Sequence, residues 1–451
     1  MDNAGDHQEE EGSMRKKIIV RGPALTRSGY GEQTRFALRS LRAHEDKFDI
    51  YLMPTGWGNT SWLAEDTEER RWIDYTIGKT NVANKQPNVG PLTYDVSLQV
   101  TIPNEWDKMA RVNIGYTAGI ECTKIAPIWV EKANMMDKVI VVSNHAKHGF
   151  DKTTYQAQHK QTGQIIKEFR TTTPVSVVNF PTKVLEAADL GIEFDTEFNF
   201  LVVAQNGPRK NLLNTVKWFV ESFKDDSTVG LVLKVFHQNN STLDREVTRA
   251  GFEELLTAFA KDDVQCKLYL IHGEMTDEEM TGLYSHPSIH SLLSLSHGEG
   301  YGLPLFEAVC NGLPVIAPEW GGQLDFLYAP TIKKKTKKVR NRPHFLRVEY
   351  DLAPVQPAAH WEGVIQPDAS WCYPREGSAK DKMVDMIKRY NQHRSLAKKL
   401  QKHILQTHSF ENQSTKFIEE VNSVAGEPSV ESMLQPISGV EPPTPTVQTY
   451  E

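Results

Sequence analysis

Short runs of β-branched and aliphatic residues recur along this chain with helix-spaced segments between them, and they come in two series. The first opens at residues 17–20, before a Gly/Ser/Thr loop and a helical segment at 32–41. It continues at 96–99, 111–116, 138–142 and 175–178. The second starts afresh at 199–204 and runs through 229–235, 264–271, 289–295 and 313–317. Such alternation specifies parallel strands with helices on both faces, because a parallel crossover needs a dozen or more residues and is usually helical. The expectation is an α/β protein with two Rossmann-like lobes, 15–182 and 183–405, linked through 179–197, where Pro181 and acidic residues break the pattern. A basic, Trp-rich insert at 331–377 interrupts the second lobe, helical periodicity returns at 378–405 and 412–424, and 406–425 reads as a closing helix. The ends, 1–14 and 426–451, are polar and read as disordered tails.

Composition narrows the function. With 451 residues the chain has ample apolar material for a core, and 51 basic against 58 acidic residues give a formal charge of −7. That balance argues against a surface built to hold polyanions by bulk attraction. Cys122, Cys266, Cys310 and Cys372 lie far apart with no C-x-x-C pair, which argues against a zinc ribbon or a disulfide framework. No apolar run is long enough for a membrane span, and the first dozen residues lack the charged start and apolar middle of a signal peptide. A cytoplasmic location is expected.

The most informative segment runs from Ser294 to Ala317. A strand ends near Ser296; Gly298, Gly300 and Gly302 let the backbone approach a ligand; Pro304 suits a first helical turn. The unit is strand, anion-facing loop, helix, with N–H groups at the helix start for a phosphate or sugar oxygen. Glu299 and Glu307 offer carboxylates for paired hydroxyls, the alternative being a plain turn and a surface helix residue. Upstream, the strand at 200–204 delivers Arg209 and Lys210, two cations able to neutralise a diphosphate. The strand at 268–271 ends in a turn at Gly273, Glu274 and Met275. In the first lobe Gly29, Tyr30 and Gly31 follow the opening strand, but Thr34 stands where a dinucleotide-binding G-x-G-x-x-G needs its third glycine. The strand at 111–116 runs into Thr117, Gly119 and Glu121, which either line a reaction site or, for Glu121, cap the next helix. His145 and Lys147 follow the strand at 138–142 and are further cleft candidates.

Glu299-Gly-Tyr-Gly-Leu-Pro-Leu-Phe-Glu307-Ala resembles the Glu-x7-Glu motif of family 4 glycosyltransferases, which are retaining GT-B enzymes. The resemblance is strongest over 199–327 and weaker over 17–181. It implies two Rossmann-like domains facing a central cleft. It also implies Glu299 on the donor sugar hydroxyls, backbone contacts from Gly300, Tyr301, Gly302 and Leu303, and Glu307 on the nucleotide ribose. Arg209 and Lys210 resemble the donor phosphate clamp, with Gln205 where many members have arginine. Gly273, Glu274 and Met275 would line the base pocket, and Gly29, Tyr30 and Gly31 would approach the diphosphate. Many members place a histidine near the strand end at 116; here Glu121 is available instead.

The resemblance implies sugar transfer with retention from a nucleotide-diphosphate donor such as a UDP- or GDP-sugar, without a cofactor. No metal is expected, since the chain has no Asp-x-Asp motif and the two cations can stabilise the leaving phosphate. The acceptor is open: glycan, lipid-linked, protein or modified DNA. The basic run at 333–342 could grip a phosphate-bearing acceptor, and Trp361 and Trp371 could stack on a sugar or base or pack the hinge. The insert is also reminiscent of bacteriophage and giant-virus members that decorate hydroxymethylated DNA bases. A catalytically weak nucleotide-sugar-binding scaffold is the other reading; phosphorolysis and epimerisation lack a matching signature.

Overall fold

The computed structural model describes residues 15–85, 92–158, 163, 165–259, 264–332 and 337–426; apart from Gly426, both expected tails lie outside them. The first lobe holds strands β1 (Lys16–Gly22), β2 (Phe48–Pro54), β3 (Val96–Val100), β4 (Val112–Thr117) and β5 (Lys138–Val141). A hairpin, β6 (Thr154–Gln158) and β7 (Ile165–Arg170), precedes β8 (Val175–Val177). The second holds β9 (Phe198–Gln205), β10 (Val229–Phe236), β11 (Lys267–Ile271), β12 (Ile289–Leu293) and β13 (Val315–Pro318). It continues with hairpin β14 (Tyr328–Ile332) and β15 (Val339–Pro343), then β16 (Leu346–Val348) and hairpin β17 (Tyr350–Pro354) and β18 (Ser370–Pro374). Among the described residues, two six-stranded sheets form, in the orders β2-β1-β3-β4-β5-β8 and β11-β10-β9-β12-β13-β16. Every pairing within both is parallel.

Helices α1 (Gly29–Arg42), α2 (Glu68–Asn84), α3 (Pro127–Asn134) and α4 (Asn144–Lys152) belong to the first lobe. To the second belong α5 (Leu212–Phe223), α6 (Thr242–Phe259), α7 (Asp277–Tyr284), α8 (Leu303–Cys310), α9 (Leu324–Leu327), α10 (Glu376–Lys388) and α11 (Tyr390–Thr407). The last helix, α12 (Phe410–Ala425), crosses back to the first lobe, where Phe417 packs 5.7 Å from the Phe36 ring and 5.5 Å from Tyr116. Two segments therefore cross between the lobes, and they lie side by side: Thr182 N–H donates to His408 O at 2.7 Å.

In chain order the second sheet reads 3-2-1-4-5-6, the dinucleotide-fold order, and the first reads 2-1-3-4-5-6, the other common doubly wound order. Both orders create a switch point beyond the carboxyl ends of neighbouring strands, where open α/β sheets bind ligands. In the second lobe that point lies between β9 and β12, the strands leading to Arg209–Lys210 and to Glu299.

Three elements depart from the sequence expectation. β2 and α2 fill the span 48–84, which carried no assignment; Thr67 starts α2 by accepting from Arg70 N–H at 3.1 Å. β16 adds a sheet strand inside the stretch that reads as irregular. The helical run at 378–405 breaks at Arg389, leaving α10 and α11.

Candidate functional site

The floor of the interlobe cleft is an ion cluster that the second lobe's switch point assembles. Glu299, 5% exposed, follows β12. Its Oε1 meets Lys210 Nζ at 2.6 Å and Ser296 Oγ at 2.9 Å, while Oε2 meets Arg209 Nη1 at 3.0 Å. Arg209 Nη1 also donates to Gly298 O at 2.7 Å, which fixes the guanidinium against the loop. Burial opposes ionisation of Glu299, but Lys210 and Arg209 outweigh it and hold the carboxyl down at about 2. Burial, aided by the Arg209 charge, pulls the Lys210 ammonium below its ordinary value against the attraction of Glu299. Asn211, in the left-handed region at φ 52°, turns the chain from this pair into α5, and its amide donates to Leu295 O at 3.0 Å.

The first lobe closes over this floor. Glu121 Oε1 lies 3.4 Å from Arg209 Nη2, so the carboxylate faces the cleft; α3 is instead preceded by Ala126 and begins with a proline, without a side-chain cap. The alternative in which Glu121 caps the next helix is thereby excluded. Gly298 and Gly300 carry no ligand-facing space at their Cα atoms: an added Cβ would lie 2.2 Å from Glu121 O and 2.6 Å from Ala118 O. These glycines admit the facing lobe. Ser143 Oγ, also from the first lobe, donates to Gly300 O at 2.6 Å. Gly302 supplies the left-handed turn into α8 at φ 91°.

The cleft encloses about 780 Å³, and its walls include Gly29, Tyr30, Glu121, Arg209, Lys210, Glu299, Gly300, Tyr301, Gly302, Leu303 and Glu307. Tyr301 is held by Phe180, Phe306 and Phe326, with ring centroids 5.0–5.2 Å away, so its ring belongs chiefly to the core. Tyr30 likewise turns inward: its hydroxyl is 2.7 Å from Thr117 Oγ1. Gly31 is not part of the wall; a Cβ there would meet Thr26 O at 2.1 Å, so it serves the turn into α1. Lys147 also lies away from the cleft, bound to Asp151 and Val175 O. His145 packs edge-on to Trp320 at 4.7 Å, and burial depresses it to about 4.

A second hollow of about 270 Å³ adjoins the cluster, lined by Gly273, Glu274 and Met275 together with Lys210, Lys234 and Pro304. Lys234 Nζ donates to Gly273 O at 2.6 Å, and Arg27 reaches across from the first lobe to Glu274 at 3.5 Å and Met275 O at 3.3 Å. Sequence reading missed Arg27, whose partners lie in another lobe. It also missed Lys183 in the linker, which joins Glu32 of α1 (3.0 Å) to Asp277 of α7 (2.8 Å). Glu307 stands between these groups, open to water on one side and enclosed on the others. Burial pushes its carboxyl up to about 7 against the Tyr284 hydroxyl, which donates to it at 2.8 Å.

Trp371 settles into the packing role. It is fully buried and stacked on His297 at 4.9 Å, and His297 Nδ1 lies 2.7 Å from Cys372 O. Ser370 and Thr123 pair across the lobes, with Thr123 N–H to Ser370 O at 2.8 Å and Ser370 N–H to Thr123 Oγ1 at 2.9 Å. The β17–β18 hairpin thus braces the loop that carries Glu299. Trp361 remains 54% exposed.

No family model and no curated protein sequence matches this chain. Solved structures do match in fold. HepE of Anabaena, solved in complex with UDP-glucose, aligns with a TM-score of 0.55 at 11% identity, over 91% of this chain and 100% of that one. A sucrose-phosphate synthase of Thermosynechococcus elongatus aligns with a TM-score of 0.59 at 12% identity, over 91% and 99%. A UDP-forming α,α-trehalose-phosphate synthase of Burkholderia xenovorans aligns with a TM-score of 0.55 at 10% identity, over 91% and 100%. Two doubly wound lobes, each with a parallel six-stranded sheet, and a cleft between their switch points make this chain a GT-B protein.

Proposed function

We propose that this protein is a retaining, metal-independent glycosyltransferase that moves a sugar from a nucleotide-diphosphate donor to an acceptor hydroxyl. The observation that carries the reading is the buried Glu299–Lys210–Arg209 cluster on the floor of the cleft, beside a hollow walled by Gly273, Glu274 and Met275. A nucleotide base fits the hollow, Glu307 offers an acceptor for ribose hydroxyls, and the diphosphate falls between them at Lys210 and Arg209. The aligned structures are consistent with this donor class: one holds UDP-glucose and another is named as UDP-forming.

When the bond from the anomeric carbon to the phosphate oxygen breaks, the oxygen keeps the electron pair and the sugar becomes oxocarbenium-like. Fixed cations at the leaving oxygen lower that barrier most. Lys210 and Arg209 supply them, and Glu299 fixes both in position and presents its carboxylate to the sugar hydroxyls. The acceptor oxygen attacks from the face the phosphate leaves, and its proton passes to the departing phosphate. No Asp-x-Asp carboxylate pair is needed for charge neutralisation. Glu121 lies on the acceptor side of Arg209 and orients the incoming hydroxyl.

The test is a thermal-shift panel of UDP- and GDP-sugars followed by donor hydrolysis without acceptor. A donor that raises the melting temperature and is slowly hydrolysed supports the reading, since a ligand of the native state stabilises it. The absence of both across the panel overturns it. An NMR assignment of the product's anomeric configuration tests retention separately.

A further inference from the structure

The second lobe concentrates positive charge on a surface that the cleft does not use. Between Thr331 and Arg342 the sequence has seven basic residues and no acidic one, in a chain whose formal charge is −7. Among the described residues there, Lys337, Lys338, Arg340 and Arg342 are exposed, and no carboxylate is paired with any of them. They belong to the antiparallel β14–β15 hairpin, whose cross-strand pair Ile332 and Val339 is 64% and 62% exposed. The hairpin is rooted, with His344 N–H donating to Leu327 O at 3.0 Å and its foot packed on α11.

Helix α11 continues the same charge. Arg394, Lys398, Lys399 and Lys402 are exposed, and no aspartate or glutamate occurs from Tyr390 to Thr407. Two elements distant in sequence thus place uncompensated cations side by side, next to a solvent-facing aliphatic pair.

Cations alone would suit any polyanion. The aliphatic pair discriminates, because a nucleic acid offers nothing for Ile332 and Val339 to enter, and neither strand exposes an aromatic ring for base stacking. Headgroups above an acyl boundary match both features. We propose that the β14–β15 hairpin and the basic face of α11 dock this protein onto a bilayer rich in anionic lipid, with Ile332 and Val339 at the acyl boundary. Neither element contributes to the cleft wall, so docking leaves the cleft open.

The experiment is co-sedimentation of the full chain with vesicles of phosphatidylcholine alone and of phosphatidylcholine with phosphatidylserine. Sedimentation is expected with the mixed vesicles only, weakening as salt screens the charges. Combined Lys337→Glu, Lys338→Glu, Arg340→Glu and Arg342→Glu should lower partitioning at least ~10-fold. Ile332→Ser with Val339→Ser should leave weaker binding that salt fully reverses. Melting temperature and nucleotide-sugar thermal shifts should match the parent in both variants, which separates this inference from the proposed activity. Equal binding to both vesicle types, undiminished binding by the charge-reversed variant, or capture by duplex DNA without capture by vesicles would overturn it.

Discussion

Glu121 of the first lobe stands 3.4 Å from Arg209 of the second, and the same guanidinium holds Glu299 at 3.0 Å. One arginine therefore links the acceptor side of the cleft to its donor floor. Arg209 keeps Glu299 and Gly298 O when Glu121 is neutralised, so Glu121→Gln should change stability by less than ~1 kcal/mol, as for a partly exposed pair. Transfer should fall at least ~10-fold if the carboxylate orients the acceptor. Parallel melting and initial-rate measurements check this, and an unchanged rate would remove Glu121 from the reaction.

Lys210→Ala tests the leaving-group clamp. Loss of a fixed charge at the departing oxygen should reduce kcat by about 10²- to 10³-fold. Arg209 still neutralises Glu299, so the variant should stay folded. Single-turnover donor hydrolysis is the direct readout.

Acid sensitivity follows from Glu299. Its folded carboxyl sits at about 2 against an ordinary 4.5, so between these values the unfolded chain binds the proton and the folded chain does not. The stabilisation, about 3 kcal/mol, is present above pH 4.5 and is lost as pH falls toward 2. Denaturant titrations from pH 6 to pH 3 (about the range over which carboxylates titrate) should show a shallower decline for Glu299→Gln than for the parent.

Glu307 titrates in the opposite sense. Its folded carboxyl is raised to about 7, so its contribution favours the fold at low pH and is lost as pH rises from 4.5 through 7. Ribose hydroxyls favour the ionised carboxylate, so donor binding near neutrality should release a proton and tighten as pH rises. Calorimetry in buffers of different ionisation enthalpy should detect the release in the parent and not in Glu307→Gln.

Gly300→Ala tests the lobe contact. A Cβ 2.6 Å from Ala118 O cannot be accommodated unless the lobes separate. Melting should fall by an amount equivalent to about 1–3 kcal/mol, and small-angle scattering should show a larger radius of gyration.

Much of this was legible where function and local structure share one segment. The run from Ser294 to Ala317 announces its strand, loop and helix through proline, glycines and spacing, and Arg209–Lys210 follow a plain apolar strand. β2 was not legible: Phe48–Pro54 carries a buried Asp49–Lys79 contact and a terminal Met-Pro that dilute the strand pattern, and it earns its place by pairing with β1. Arg27 and Lys183 were missed because their partners are set by how the lobes meet. The glycines of the Glu299 loop were read correctly as permitting close approach, but the structure brings a second lobe to Gly298 and Gly300.

The return of α12 has a consequence for how the halves can exist apart. Phe417 completes a hydrophobic interior that begins with Phe36, nearly four hundred residues earlier in the chain. Severing the polypeptide within 183–197 would leave the amino-terminal fragment with an unfinished interior and the carboxyl-terminal one with a stranded amphipathic helix. Paired strands of backbone at Thr182 and His408 form a double axle, so relative rotation of the halves must twist both together.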